Sequence, residues 1–154
     1  MTNHKMPVIL IGLLLVAGIS TTLTLAQAHK GATGIVMERM MSMKSMGDGM
    51  KLIAAMIKGQ APYDAAKTKS IAVEVAKHAA GMLKQFPKGS IKGPSEALPV
   101  IWTDWEGFKS YADDLTRLSE QLSQTAGGGK AAAREVFAKM ANTCSGCHRA
   151  YRKK

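Results

Sequence analysis

The amino-acid sequence predicts an all-α protein, an antiparallel up-down-up-down bundle of four helices. Three observations predict it. Apolar residues recur at alternating steps of four and three along four separate segments. Glycine and proline punctuate the chain between those segments. No sustained alternation of β-branched residues competes, and the 46% hydrophobic content comes mainly from Ala, Met, Leu and Ile with only 5% aromatic residues.

The first segment reads as an export signal rather than as part of the bundle. Lys5 gives a positive start, Val8 to Ala17 is almost unbroken apolar sequence, and Ala26-Gln27-Ala28 offers small residues for cleavage before His29. Residues 1–28 are therefore expected to be a signal peptide, and residues 29–154 one four-helix domain. An uncleaved membrane anchor is the alternative, but the apolar run is short for a spanning helix. Membrane attachment is expected only if the signal is retained, and the expected location is the periplasm.

The first helix is expected from about Thr33 to Lys58, with Val36, Met40, Met43, Gly47, Met50, Ala54 and Ile57 along one face. Gly59 stops it and Pro62 bars its continuation. Asp64 caps the second helix, which is expected to run to about Phe86 with Ala72, Val75, Ala79, Met82 and Phe86 as its stripe. A longer connection follows, from Pro87 to Pro99. The third helix is expected from about Ile101 to Thr125, its face formed by Ile101, Trp105, Phe108, Ala112, Leu115 and Leu122 with Ser119 interrupting. Gly127-Gly128-Gly129 breaks the chain. The fourth helix is expected from Lys130 to about Arg152, with Ala133, Phe137, Met140, Cys144, Cys147 and Tyr151 on one face. Short connections between the first two helices, and between the last two, favour antiparallel neighbours.

Both cysteines lie in Cys144-Ser145-Gly146-Cys147-His148. A disulfide across two intervening helical residues would be strained and would close almost no loop. Zinc would need a fourth ligand, and His29 and His78 are distant in sequence. A thioredoxin-like pair would need an α/β context, which is missing. Cys-x-x-Cys-His is instead the attachment signature of haem c. Two thiols add across the two vinyl groups on one edge of the ring, and the adjacent histidine reaches the iron from one face. On a helix, positions 144, 147 and 148 project to the same side. Cys144 and Cys147 are thus expected to hold one covalent haem in the bundle core, with His148 as proximal iron ligand.

The sixth coordination position is open on residue chemistry alone. Met37, Met40, Met41, Met43, Met46 and Met50 cluster on the first helix. Methionine fills irregular cores, and it also binds haem iron and raises its potential. Gly47, four residues after Met43, would leave room for a ring edge. His78 is a further candidate ligand.

The sequence resembles the class II cytochrome c family, which includes cytochrome c′ and cytochrome c-556. The resemblance spans essentially all of residues 29–154. It is carried by the haem motif close to the C-terminus, by Leu98-Pro99-Val100-Ile101-Trp102-Thr103-Asp104-Trp105, and by Ile57-Lys58-Gly59-Gln60-Ala61-Pro62-Tyr63-Asp64. In that family a first-helix residue four positions after an arginine faces the distal side of the haem. Arg39 and Met43 match this pair. The resemblance therefore implies Met43 as sixth ligand of a low-spin haem, with Arg39 near the propionates or the distal pocket. Some cytochromes c′ leave the iron five-coordinate, open to nitric oxide or carbon monoxide. Met40 and Met46 are rivals one turn away. Tyr151 and Arg152 are further candidate haem contacts, Arg152 through a propionate, and Trp105 is another candidate whose place on the buried stripe reads first as ordinary aromatic core. Many family members carry lysine where this chain has Ser145, which changes the charge at the haem edge.

The formal charge is +10, and cleavage of residues 1–28, which removes Lys5 and no acidic residue, leaves +9. Haem propionates return up to two negative charges, so the protein stays basic. That favours an acidic redox partner or an anionic surface. Scattered basic residues without aromatic interleaving, in an exported chain, argue against nucleic acid. The resemblance also implies a homodimer through the first two helices. Electron transfer is the expected function, with gas binding at a five-coordinate iron as the alternative. No acid–base constellation suggests an enzyme.

Overall fold

The computed structural model describes Met1 and residues 31–154. The expected signal peptide, residues 1–28, lies outside the described residues. Among the described residues four α-helices make up the bundle: α1 Gly34–Ile57, α2 Ala65–Gly81, α3 Trp105–Thr125 and α4 Lys130–Tyr151. They form the four-helix bundle that the periodicity predicts. Among the described residues the only β-type pairing is an isolated bridge between Ala97 and Arg152.

Local chemistry sets the helix ends. Gly59 adopts φ +77°, and its N–H and that of Gln60 close back on Met56 and Ala55 at 3.2 and 2.9 Å, which ends α1. The Asp64 carboxylate accepts from the Lys67 N–H at 2.9 Å and starts α2. The second helical segment does not stay α-helical to Phe86. It tightens after Gly81 into a 3₁₀ turn, Met82–Gln85, ahead of Pro87. The third helix begins later than the periodicity suggests. Residues Pro99–Trp102 form a separate 3₁₀ turn with proline at its start, and Asp104 caps α3 at Trp105. Pro99 fixes φ for the short turn and Asp104 offers a competing start, so one apolar stripe spans two elements.

The helices pack as two adjoining apolar clusters. The larger joins Ile53, Met56 and Ile57 of α1 to Ala72 and Val75 of α2, Leu115, Leu118 and Leu122 of α3, and Ala133, Val136 and Met140 of α4. The smaller gathers Met82, Phe86, Ile101, Phe108, Ala112 and Tyr151 near the C-terminus of α4. Burying each large apolar side chain contributes about 1.5–3 kcal/mol, and this burial outweighs the modest helix propensity of the β-branched members.

The face expected to be the α1 core is rotated. Met46, Ile53, Met56 and Ile57 are buried, whereas Met43, Gly47, Met50 and Ala54 are only half-buried. The second set still lies on one helix face, but that face lines a cavity rather than a packed core. Helix α1 approaches α4 much less extensively than α2 meets α3 or α3 meets α4. The bundle is therefore open between its first and last helices.

Candidate functional site

The cavity between α1 and α4 has a volume of about 400 Å³, within the common range of ligand pockets. From α1 it is lined by Met43, Met46, Gly47, Met50, Lys51 and Ala54. Helix α4 contributes Phe137, Ala141, Cys144, Cys147 and His148, and Tyr111 and Leu115 of α3 close one side. Both cysteines and His148 lie on the unbroken helix α4, three and four residues apart, so they share one face as the motif requires. Cys144 packs against the larger apolar cluster and Cys147 against the smaller. Met43 packs against both. The three side chains thus mark the seam where the two clusters leave space.

Neither cysteine forms a disulfide. Burial raises the Cys144 thiol, and it pushes the Cys147 thiol to about 11 with a smaller contribution from Cys144. Both are protonated at neutral pH, unlike the low-pKa thiolate of a dithiol oxidoreductase. His148 is the most exposed of the three. Its partial burial, then the Arg152 charge, hold its imidazole below the ordinary value. A neutral imidazole is the form that binds a metal. Among the described residues no three His, Cys, Asp or Glu side chains converge as a metal-binding cluster.

Comparison with known proteins decides the family. The cytochrome c′ family model matches residues 34–152. The chain belongs to the cytochrome c′ family. It is 34% identical over 121 residues to cytochrome c-556 of Agrobacterium tumefaciens strain II Chrys, covering 79% of this chain and 98% of that one. Cytochrome c prime from Shewanella frigidimarina superposes with a TM-score of 0.71 at 30% identity, covering 75% of this chain and 91% of that one. A nitric oxide complex of a cytochrome c prime variant from Alcaligenes xylosoxidans superposes with a TM-score of 0.71 at 31% identity, covering 78% and 94%.

Members of this class II cytochrome family bind haem c, and the residues present fit that group. A β-carbon built on Gly47 would meet nothing within 4 Å, so this stretch of the α1 backbone faces open space. The donor set around that space is two thiols, an imidazole and four methionine thioethers, soft and borderline ligands suited to iron in a haem.

Of the candidate distal ligands, Met43 and Met46 line the cavity and Met40 does not. Met46 is buried in the larger cluster, at 6% exposure, which commits it to packing. His78 lies in a different groove, between α1 and α2, with Ser45, Gly49 and Glu74. It is not placed to share an iron with His148.

Arg39, Trp105, Tyr151 and Arg152, the candidate haem contacts, do not line the cavity. The Arg39 guanidinium is buried and donates from Nε and Nη2 to the Gln85 carbonyl at 3.2 and 2.9 Å. It also donates to Ser90 Oγ at 2.8 Å and Ser95 Oγ at 3.1 Å, and its face lies 4.0 Å from the centre of the Phe86 ring. Arg39 therefore ties α1 to the connection after α2 and does not line the cavity. Its lone charge is desolvated, and burial lowers its pKa. Arg152 pairs with Glu96, which competes with any propionate. Tyr151 is buried and donates to the Asp104 carboxylate at 2.5 Å. Trp105 packs on Phe108, with ring centres 5.8 Å apart.

Tyr111 was not legible as a site residue. It lines the cavity and packs on the motif itself: a β-carbon on Gly146 would lie 2.9 Å from its ring. The glycine inside the motif is the signal that a neighbouring side chain comes close there.

Proposed function

We propose that this chain is a periplasmic electron carrier with one covalently attached haem, ligated by His148 and Met43. The observation that carries the reading is that Cys144, Cys147, His148 and the Met43 thioether line a single cavity. When bound, the haem supplies one-electron cycling between Fe(III) and Fe(II). The protein's own part is positioning. Helix α4 presents Cys144 and Cys147 for two thioether bonds and holds His148 for one face of the iron. Helix α1 offers Met43 from the facing side, and the apolar lining excludes water, which favours the less charged reduced state. The proposal is a carrier rather than an enzyme.

A leader that exports the chain places the two cysteines where haem attachment occurs outside the cytoplasm. The basic surface, formal charge +10 before any cleavage, suits an acidic redox partner. The proposed homodimer would use the outward faces of α1 and α2, where Met41, Leu52 and Val73 are exposed.

A second reading has its own support. The solved relative from Alcaligenes xylosoxidans is a nitric oxide complex. In a five-coordinate protein Met43 would line a gas pocket rather than bind the iron. The reduced holoprotein's optical spectrum decides. Sharp, split α and β bands that broaden in Met43→Ala, with the potential falling, establish the carrier. A broad high-spin spectrum and rapid carbon monoxide binding in the unaltered protein establish the gas binder. An unchanged spectrum in Met43→Ala moves the ligand to another cavity-lining methionine of α1, Met46 or Met50.

A further inference from the structure

The cavity is connected to the outside of the bundle by a run of aromatic rings. Tyr111 lines the cavity beside Cys147 and His148. Its ring meets Tyr151 edge to face, with centres 6.0 Å apart. Tyr151 meets Phe108 at 5.3 Å, and Phe108 meets the half-buried Trp105 at 5.8 Å. Three of these four rings are oxidisable, and Phe108 is the spacer between the last two. The first two contacts are edge to face and the Phe108–Trp105 contact is tilted at 42°, and rings at these separations form a continuous packed run.

The proton is provided for as well. A phenol gives up an electron near neutral pH only if its proton leaves with it. The Tyr151 hydroxyl donates to the Asp104 carboxylate at 2.5 Å, so an acceptor is already in place. Asp104 is exposed and passes the proton on to solvent. The remaining tyrosine, Tyr63, is built differently. Its hydroxyl donates to the Ala126 carbonyl at 2.7 Å, in the connections at the other end of the bundle, and a carbonyl does not take a proton.

We propose that Tyr111, Tyr151 and Trp105 form a relay that delivers electrons to the haem cavity when a hydroperoxide oxidises the site. The relay discharges oxidising equivalents at the protein surface and spares the thioether of Met43. Each hydrogen peroxide takes up two electrons and two protons and becomes two waters. The first electron leaves Tyr151 by way of Tyr111, and the Tyr151 proton passes to Asp104. Trp105 re-reduces the Tyr151 radical through Phe108 and loses its indole proton to solvent, and the tyrosine recovers its proton from Asp104. The second electron leaves Tyr151 in the same way, its proton passing through Asp104 to solvent. The two protons released balance the two the peroxide takes from solvent, and the oxidising equivalents end on Tyr151 and Trp105.

This inference rests on the haem reading, and the experiment separates the two. The purified holoprotein is first checked for covalent haem by its pyridine haemochrome spectrum. It is then treated with a small excess of hydrogen peroxide, frozen for electron paramagnetic resonance, and digested for mass mapping of oxidised side chains. The relay is upheld by a tyrosyl radical that disappears in Tyr151→Phe, with oxidation at Tyr151 and Trp105 and none at Tyr63. In Tyr151→Phe, sulfoxide at Met43 should rise several-fold. Oxidation confined to methionines in the unaltered protein, or spread equally to Tyr63, overturns the relay and leaves the haem reading standing. A colourless protein without covalent haem overturns both. Should Tyr151→Phe fail to fold, the distribution of oxidation among Tyr63, Tyr111, Tyr151 and Trp105 in the unaltered protein decides alone.

Discussion

Tyr111 of α3 packs so closely on Gly146 of α4 that a β-carbon at position 146 would lie 2.9 Å from Cε1 of its ring and 3.1 Å from its hydroxyl oxygen. Gly146 is buried and sits between the two cysteines. Alanine at this position would gain about 1 kcal/mol of helix propensity. It would also push a ring that has little freedom to move, at a cost of about 1–3 kcal/mol. Gly146→Ala is expected to lose about 1 kcal/mol net, read as a lower urea midpoint at unchanged slope. Tyr111→Ala combined with Gly146→Ala should remove the clash, so the double variant should be more stable than additivity of the singles allows. Additive losses would show that the close approach is not what selects glycine.

Gly47 supplies the converse case. A β-carbon there meets nothing within 4 Å, and the residue lines the cavity. Gly47→Leu puts a branched side chain into the space assigned to the haem while adding up to about 1 kcal/mol of helix propensity. The apoprotein is expected to keep or gain stability, and covalent haem content per chain is expected to fall by more than half. A variant with full pigment would place the ring elsewhere along α1.

Much of this architecture is readable from residue chemistry. Asp64 and Gly59 mark the ends of helices because capping and positive φ are local properties. Cys144, Cys147 and His148 fall on one face because their spacing is helical. What periodicity does not separate is a face that packs on protein from a face that waits for a cofactor. Met43, Gly47, Met50 and Ala54 repeat as a core stripe does, yet they line the cavity. Periodicity places the start of α3 too early for a related reason, since Ile101 and Phe108 share a cluster although a 3₁₀ turn and a cap divide their elements. Arg39 shows the limit most plainly. Its partners Gln85, Ser90 and Ser95 lie about fifty residues away, and no local signal announces them.

Arg39 is held by acceptors and an aromatic face, without a carboxylate. Removing it leaves the Gln85 carbonyl and two serines short of a donor, which outweighs the relief of a buried charge. Arg39→Met is expected to cost about 2 kcal/mol in denaturant unfolding. Lysine offers one point charge in place of a planar fork, so Arg39→Lys should recover less than half of that loss. Because Arg39 does not line the cavity, both holoproteins should keep the unaltered optical spectrum. A spectral change at full stability would return Arg39 to the haem, as the family resemblance implied.

Tyr151 gives the fold a defined alkaline limit. Burial first, and then the hydrogen bond to Asp104, raise its phenol from 10.0 to about 12. The folded protein therefore keeps this proton at a pH where the unfolded chain has lost it. Its contribution to stability is complete below about pH 10, declines as pH rises above that, and is lost through about pH 12. Tyr151→Phe keeps the ring against Phe108 and Tyr111 but loses the bond to Asp104. At pH 8 it is expected to be less stable by about 1 kcal/mol. Between about pH 10 and pH 11.5 the unaltered protein's urea midpoint should fall faster than that of Tyr151→Phe, so the two curves converge. Parallel curves across that window would mean that the Tyr151 phenol ionises alike in the folded and unfolded chains.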